Sequence, residues 1–314
     1  MTYLRKRTEN GVSKLLSKEA LACLALALAA LFWSGNFVAG RALRDSVDPI
    51  VLNTLRWTIC LGIFLPFVGA RLYRKREVVF REWRLVLALG ATGIAAFHTM
   101  VYFALTDTAV INALLILALA PVVILFGAAL VRRNRPTPLQ YTGSLVSLLG
   151  AGVLIARADP TIHLHLKFNH GDGWMFGSVV VWAAYSLLLR GRPSDLPQDV
   201  TLAASIIAAL LILIPLNMAA GAPFQFIHSP AIWAAILYIA VVASLIAFLL
   251  WSYGVAEIGP ERAGQFIHLM PIFGAGLAMV LLGEPVVLSQ VVGATLVLAG
   301  ILLVNRRRGR PPGH

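Results

Sequence analysis

The sequence predicts an all-α integral membrane protein of ten transmembrane helices, built as two inverted five-helix repeats with both termini cytoplasmic. Three observations carry that expectation. Of 314 residues, 59% are hydrophobic and only 13% charged, against about 25% charged in soluble domains. Ten apolar runs have the length that a bilayer core demands, about 20 residues. The second half repeats landmarks of the first at an offset near 150 residues.

A chain this poor in charge cannot cover its surface with polar groups, so lipid is its expected solvent. The net charge of +12 does not point to nucleic acid, because the basic residues stand in short clusters between apolar runs. Cys23 and Cys60 both fall inside apolar runs and read as packing residues, not as a disulfide or a metal site.

In order, the runs are Ala20–Gly40, Pro49–Gly69, Arg84–Thr106, Thr108–Val131, Thr137–Ile155, Gly173–Leu189, Val200–Ala219, Ala231–Gly254, Arg262–Leu282 and Pro285–Asn305. The turn near Asp107 barely dips in hydropathy. Only Gly283-Glu284-Pro285 marks the last turn, though glycine with proline is a strong breaker. The first run is long and ends in Phe32-Trp33-Ser34-Gly35-Asn36 rather than a small-residue cleavage site, so it reads as a span and not a signal peptide. The chain then divides into a basic tail (1–18), a first repeat (19–157), a periplasmic linker (158–172), a second repeat (173–305) and a basic tail (306–314).

Charge orients these spans. With the N-terminus inside, twenty-one basic residues fall in inner segments and four, Arg41, Arg44, Arg157 and Lys167, in outer ones. Nine spans would place the basic C-terminal tail outside, against the positive-inside rule.

The repeat is visible residue by residue. At an offset of 150, Pro121 falls on Pro271, Gln140 on Gln290, Gly143 on Gly293 and Gly150 on Gly300; at 149, Trp33 falls on Trp182 and Arg41 on Arg190. The polar segment between the halves carries His163, His165 and His170 and reads as a loop, not a metal site. Five spans is an odd number, so the second half inserts upside down. Inverted repeats build many secondary transporters, with the solute held near the midplane.

Several stretches then carry a resemblance. They are Trp33-Ser34-Gly35-Asn36-Phe37; Asp48-Pro49 followed by Leu55-Arg56-Trp57; the span around Pro121; Gln140-x-x-Gly143; Pro271-Ile272-Phe273; Leu282-Gly283-Glu284; and Gln290-x-x-Gly293. Over almost its whole length the chain resembles the EamA-type transporters of the drug/metabolite transporter superfamily. Within them it looks most like the YddG-type exporters of aromatic and other amino acids. The resemblance implies ten spans and export of small metabolites. One departure stands out: where the family carries a glutamate before span five, this chain has Arg132-Arg133-Asn134-Arg135.

Polar side chains inside spans are costly and tend to face a cavity or a partner. Trp33 and Asn36, His98 and Tyr102, Trp182 and Tyr185, and Gln265 and His268 pair at spacings of three or four, so each pair shares a helix face. Asn112 stands early in span four. Together they predict one substrate-binding chamber with aromatic walls and a few polar anchors, suited to an amphipathic small molecule. Trp57 and Trp251 read as membrane-interface residues. Arg56 is expected to reach the periplasmic surface or to pair with Asp45 or Asp48, in preference to binding a solute carboxylate. Pro121 and Pro271 should kink their helices, free the carbonyls of Leu117 and Ile267, and act as hinges. Gly143/Gly150 and Gly293/Gly300 read as close-packing positions.

Asp107, Glu257, Glu261 and Glu284 all stand at span ends, and no carboxylate stands mid-span. That favours facilitated diffusion of a zwitterionic solute, with proton coupling through His98 or His268 as the alternative. No metal cluster, phosphate-binding loop or nucleophile motif is present, which excludes an enzyme and any cofactor. A channel would need a continuous polar lining. The expected partners are the lipid bilayer of the inner membrane and a small molecule, the chain acting as a monomer. Amino acids are the expected solutes and drugs or other metabolites the alternative.

Overall fold

A computed structural model describes residues 17–108, 110–132, 136–156, 169–221, 229–282 and 288–305. Helix α1 (Lys18–Leu43) starts on Ser17, whose hydroxyl accepts from the Ala20 N–H, with Glu19 in the first turn where the helix dipole favours it. Helix α2 (Pro49–Arg74) starts on Asp48, whose carboxylate accepts from the N–H groups of Ile50 and Val51. A short α3 (Arg76–Arg81) leads into α4 (Trp83–Asp107). Then follow α5 (Val110–Leu117), α6 (Ala120–Arg132) and α7 (Pro138–Ala156). The second half holds α8 (His170–Arg190), α9 (Gln198–Ala220), α10 (Pro230–Ile258), α11 (Pro260–Gly264), α12 (Leu269–Leu282) and α13 (Leu288–Asn305).

Among the described residues, nine helices are long and apolar enough to cross a membrane. The ninth apolar run of the sequence, Arg262–Leu282, is helical too, but a 3-10 turn over Gln265–His268 divides it into α11 and α12. Helix ends extend past the apolar runs by a few residues; α2 runs on to Arg74, carrying basic side chains to the interface. Gly283-Glu284-Pro285, Arg133-Asn134-Arg135, His163, His165, most of the linker and most of both tails lie outside the described residues.

The kink expected at Pro121 takes another form. The helix stops at Leu117, turns at Ala118–Leu119 and restarts at Ala120. Pro121 thus sits in a first turn, where its missing N–H costs nothing. The carbonyl that gains an outside partner is that of Ala118, not Leu117.

Repeat symmetry is written into the contacts. Helices α7 and α13 cross with Gly143 against Gly300 and Gly150 against Gly293. The two pairs exchange under the repeat offset, and they run in opposite directions along the two helices, which is the geometry of inversion. Arg41 donates to the Leu105 carbonyl at 3.0 Å, closing the C-terminus of α4. Its repeat mate Arg190 donates to the Val255 and Ala256 carbonyls, closing the C-terminal end of α10. Both third spans also carry a π-helical segment at equivalent positions, Gly90–Ala96 in α4 and Ile239–Ile246 in α10. The halves are tied where α4 ends against the start of α8. Asn169 and Asp172 form a capping box there, and Thr108 Oγ1 lies 2.5 Å from Asn169 and 2.7 Å from Asp172.

Candidate functional site

The centre of the molecule is aromatic. Trp33 of α1 meets its repeat mate Trp182 of α8 edge to face, ring centroids 5.1 Å apart. Trp251 of α10 lies 5.3 Å from the first and 5.2 Å from the second. Phe248 and Phe97 close the cluster, at 5.9 Å from Trp33 and 4.7 Å from Trp182 respectively. Trp57 joins it through Phe248 at 5.1 Å. Edge and offset contacts of this kind suit the ring quadrupoles.

The cluster fills the chamber that the sequence predicts. What remains is a cavity of about 20 Å³, bounded by Trp33, Asn36, Phe97, His98, Trp182 and Met270 among others. That is room for about one water molecule. A solute as large as an amino acid does not fit in that space. Trp57 and Trp251, expected at the membrane interface, are instead fully buried, at 0% and 1% exposure. Sequence periodicity cannot separate an interfacial tryptophan from a central one; the 149-residue offset, which sets Tyr102 on Trp251, is the signal that would have.

Of the predicted site residues, Trp33, Asn36, His98 and Trp182 line the cavity. Tyr102 and Tyr185 stand just behind it, Tyr185 against Trp182 and Phe248. Asn112 is half-buried and does not line it. Gln265 and His268 do not line it either. Gln265 Nε2 donates to Ser144 Oγ at 2.9 Å. One helical turn away, His268 Nδ1 lies 2.5 Å from Ser147 Oγ and Nε2 lies 2.7 Å from the Ala118 carbonyl. A carbonyl only accepts, so Nε2 carries the proton and Nδ1 accepts from Ser147. His268 is the repeat mate of Ala118, so this bond lies where the two broken helices cross. Replacing His268 with alanine should orphan the Ala118 carbonyl and the Ser147 hydroxyl and cost about 1–3 kcal/mol. The check is a lowered Tm in detergent; an unchanged Tm with lost proton-driven uptake would make His268 a coupling group.

Arg56 departs furthest from expectation. Asp45 pairs with Arg44, and Asp48 caps α2, so neither serves Arg56. The guanidinium is 0% exposed. Its Nε and Nη2 donate to Ser244 Oγ at 2.8 and 2.6 Å, and Nη1 donates to Tyr102 Oη at 2.6 Å and more weakly to Asn36 Oδ1 at 3.5 Å. Tyr102 Oη in turn donates to Asn36 Oδ1 at 3.3 Å.

The π segment of α10 makes this arrangement. Its wider turn lets Ser244 donate five residues back, to Ile239, while its oxygen faces Arg56. The Ala243 carbonyl is left to accept from Trp33 Nε1 at 3.0 Å. In α4 the matching segment turns the Ile94 and Ala95 carbonyls toward Asn53, which donates to both at 3.2 Å. Nothing in the apolar pattern of either run signals a π turn. Three buried ring nitrogens in the aromatic cluster have no hydrogen-bond partner among the described residues: Trp57 Nε1, Trp251 Nε1 and His98 Nδ1.

Nine apolar helices of spanning length among the described residues, with paired contacts between the two halves, define a multi-pass helical membrane protein. The chain belongs to the EamA-like transporter family, which matches it twice, over residues 20–156 and 169–306. Each match covers one repeat. It is 26% identical over 294 residues to a probable terminal-alkyne amino-acid exporter of Streptantibioticus cattleyicolor, covering 92% of this chain and 95% of that one. It is 25% identical over 289 residues to an uncharacterized transporter of Archaeoglobus fulgidus, covering 91% and 97%. It is 27% identical over 221 residues to the transporter YyaM of Bacillus subtilis, covering 70% and 72%. A solved crystal structure shares the fold, with a TM-score of 0.74 at 22% identity over 90% of this chain and 96% of that one.

Proposed function

We propose that the chain is a ten-span secondary transporter that exports small zwitterionic solutes, amino acids including aromatic ones, by alternating access between its repeats. In this reading both ends face the cytoplasm, the divided helix α11–α12 is a span, and the monomer is the working unit. The observation that carries it is the aromatic centre shared by both halves, with Trp33 against Trp182 beside the polar edges of Asn36 and His98. Aromatic faces with few polar groups suit an amphipathic solute. The relative named as an amino-acid exporter supports the same solute class. Among the described residues no carboxylate lines the cavity, which favours the solute's own gradient as the driving force. Pro121 and Pro271, each just past a break in its helix, at Ala118–Leu119 and Gln265–His268, mark the hinges by which the rings part.

Counterflow in proteoliposomes is the test. Vesicles loaded with unlabelled tryptophan or threonine should accumulate the labelled amino acid with no ion gradient, and empty vesicles should not. Pro121→Ala and Pro271→Ala should slow that exchange several-fold; unchanged rates would remove the hinge role. Uptake that appears only under an imposed pH gradient would replace the facilitator with a proton-coupled exporter.

A further inference from the structure

Packing accounts for the rings at the centre but not for Arg56. A guanidinium stays charged in a protein. Here it is fully buried, and every group it touches is neutral: Ser244, Tyr102 and Asn36, with the Trp57 and Tyr102 rings 5.3 and 5.9 Å from its central carbon. Among the described residues no Asp or Glu forms an ion pair with it. Neutral dipoles solvate a buried cation but leave its charge uncompensated, and inside a membrane such a charge is a costly feature to retain.

We infer that Arg56 is the anchor for an anionic group of the transported solute, a carboxylate where the solute is an amino acid. The inference rests on the transporter reading above and narrows its substrate class. Asn36 is the door between the cation and the cavity. It lines the cavity, and its contact with Arg56 Nη1, at 3.5 Å, is at the long limit of a hydrogen bond. A carboxylate oxygen that displaces Asn36 Oδ1 gains a short charge-assisted bond and supplies the missing negative charge. Trp57 and Trp251, whose indole N–H groups have no acceptor among the described residues, are further donors in the same cluster and suit an anion. An ammonium group of the same solute would lie against the ring faces. The fixed cation disfavours solutes that are purely cationic, which separates amino acids and other organic anions from cationic drugs.

The test compares tryptophan, its deaminated acid indole-3-propionate and its decarboxylated amine tryptamine as stabilisers of the purified protein, since a bound ligand raises Tm. Tryptophan and the acid should raise Tm and tryptamine should not. Arg56→Gln should weaken carboxylate binding roughly 10- to 100-fold. Asn36→Asp places a carboxylate beside Arg56 within the chain, so it should melt higher than wild type and lose the ligand-induced shift. Stabilisation by the deaminated acid alone would keep the anchor and remove the amino-acid reading. Stabilisation by tryptamine equal to that by tryptophan, or a carboxylate shift retained in Arg56→Gln, would overturn the anchor and leave amino acids as solutes. No shift with any of the three, with Asn36→Asp melting no higher than wild type, would overturn it as well.

Discussion

Gly300→Leu should yield little or no folded protein. At Gly300 a Cβ alone would sit 2.5 Å from the Gly143 carbonyl oxygen and 2.6 Å from the Ser147 backbone nitrogen. Both are backbone atoms on the facing helix, so no side-chain rotation relieves the clash; α7 and α13 must separate along their length. In lipid the helices gain nothing from expelling water, and close van der Waals contact is what holds them. Even Gly300→Ala should cost about 1–3 kcal/mol, the usual penalty of overpacking. Because the pairs exchange under the repeat operation, Gly150→Ala, whose Cβ would meet the Gly293 carbonyl at 2.8 Å, should cost a similar amount. Once the first alanine has pushed the helices apart, the second should cost less, so the double variant should be less destabilised than the sum. Monodispersity in detergent and Tm read all three. A leucine at Gly62, where a Cβ meets nothing within 4 Å, is the control and should leave the fold intact.

The glycine pairs were legible because seven-residue spacing in an apolar run, seen twice at one offset, has a single geometric meaning. Span positions were legible for a like reason, since hydropathy reads the solvent directly. Trp33 and Trp182 were legible as repeat mates, and their contact follows from the inversion. Sequence spacing failed where the backbone leaves the α-helix. Arg56 sits seven residues into α2, a position from which a long side chain ordinarily reaches the interface. It turns inward, where the π segment of α10, 188 residues along the chain, offers Ser244 to its guanidinium. Gln265 and His268 share a face, as their spacing says, but that face meets Ser144 and Ser147 rather than the cavity. Periodicity tells which residues look in one direction. It does not tell what stands opposite.

Trp182→Ala and Trp33→Ala should each lower counterflow by at least tenfold per folded transporter. The two rings both line the cavity and pack edge to face against each other, so on the proposed reading they part to admit a solute. Removing either also leaves a hole at the centre, and deleting a buried tryptophan side chain costs about 3–5 kcal/mol. Loss of rate and loss of stability must therefore be separated. Trp182→Phe keeps an aromatic face at about the same place and should recover much of the exchange rate, whereas Trp182→Leu fills space without a ring face and should not. The pair carries an interaction beyond area, about 0.5–1.5 kcal/mol for aromatic contacts, so the Tm change of the double alanine variant should fall short of the sum of the singles. If leucine and phenylalanine restore exchange equally, the cluster is only a well-packed core, and the solute passes by another route. If phenylalanine alone restores it, the ring faces themselves bind the solute, and repeat mates that hold each other in the closed form exchange that contact for the solute in the open one.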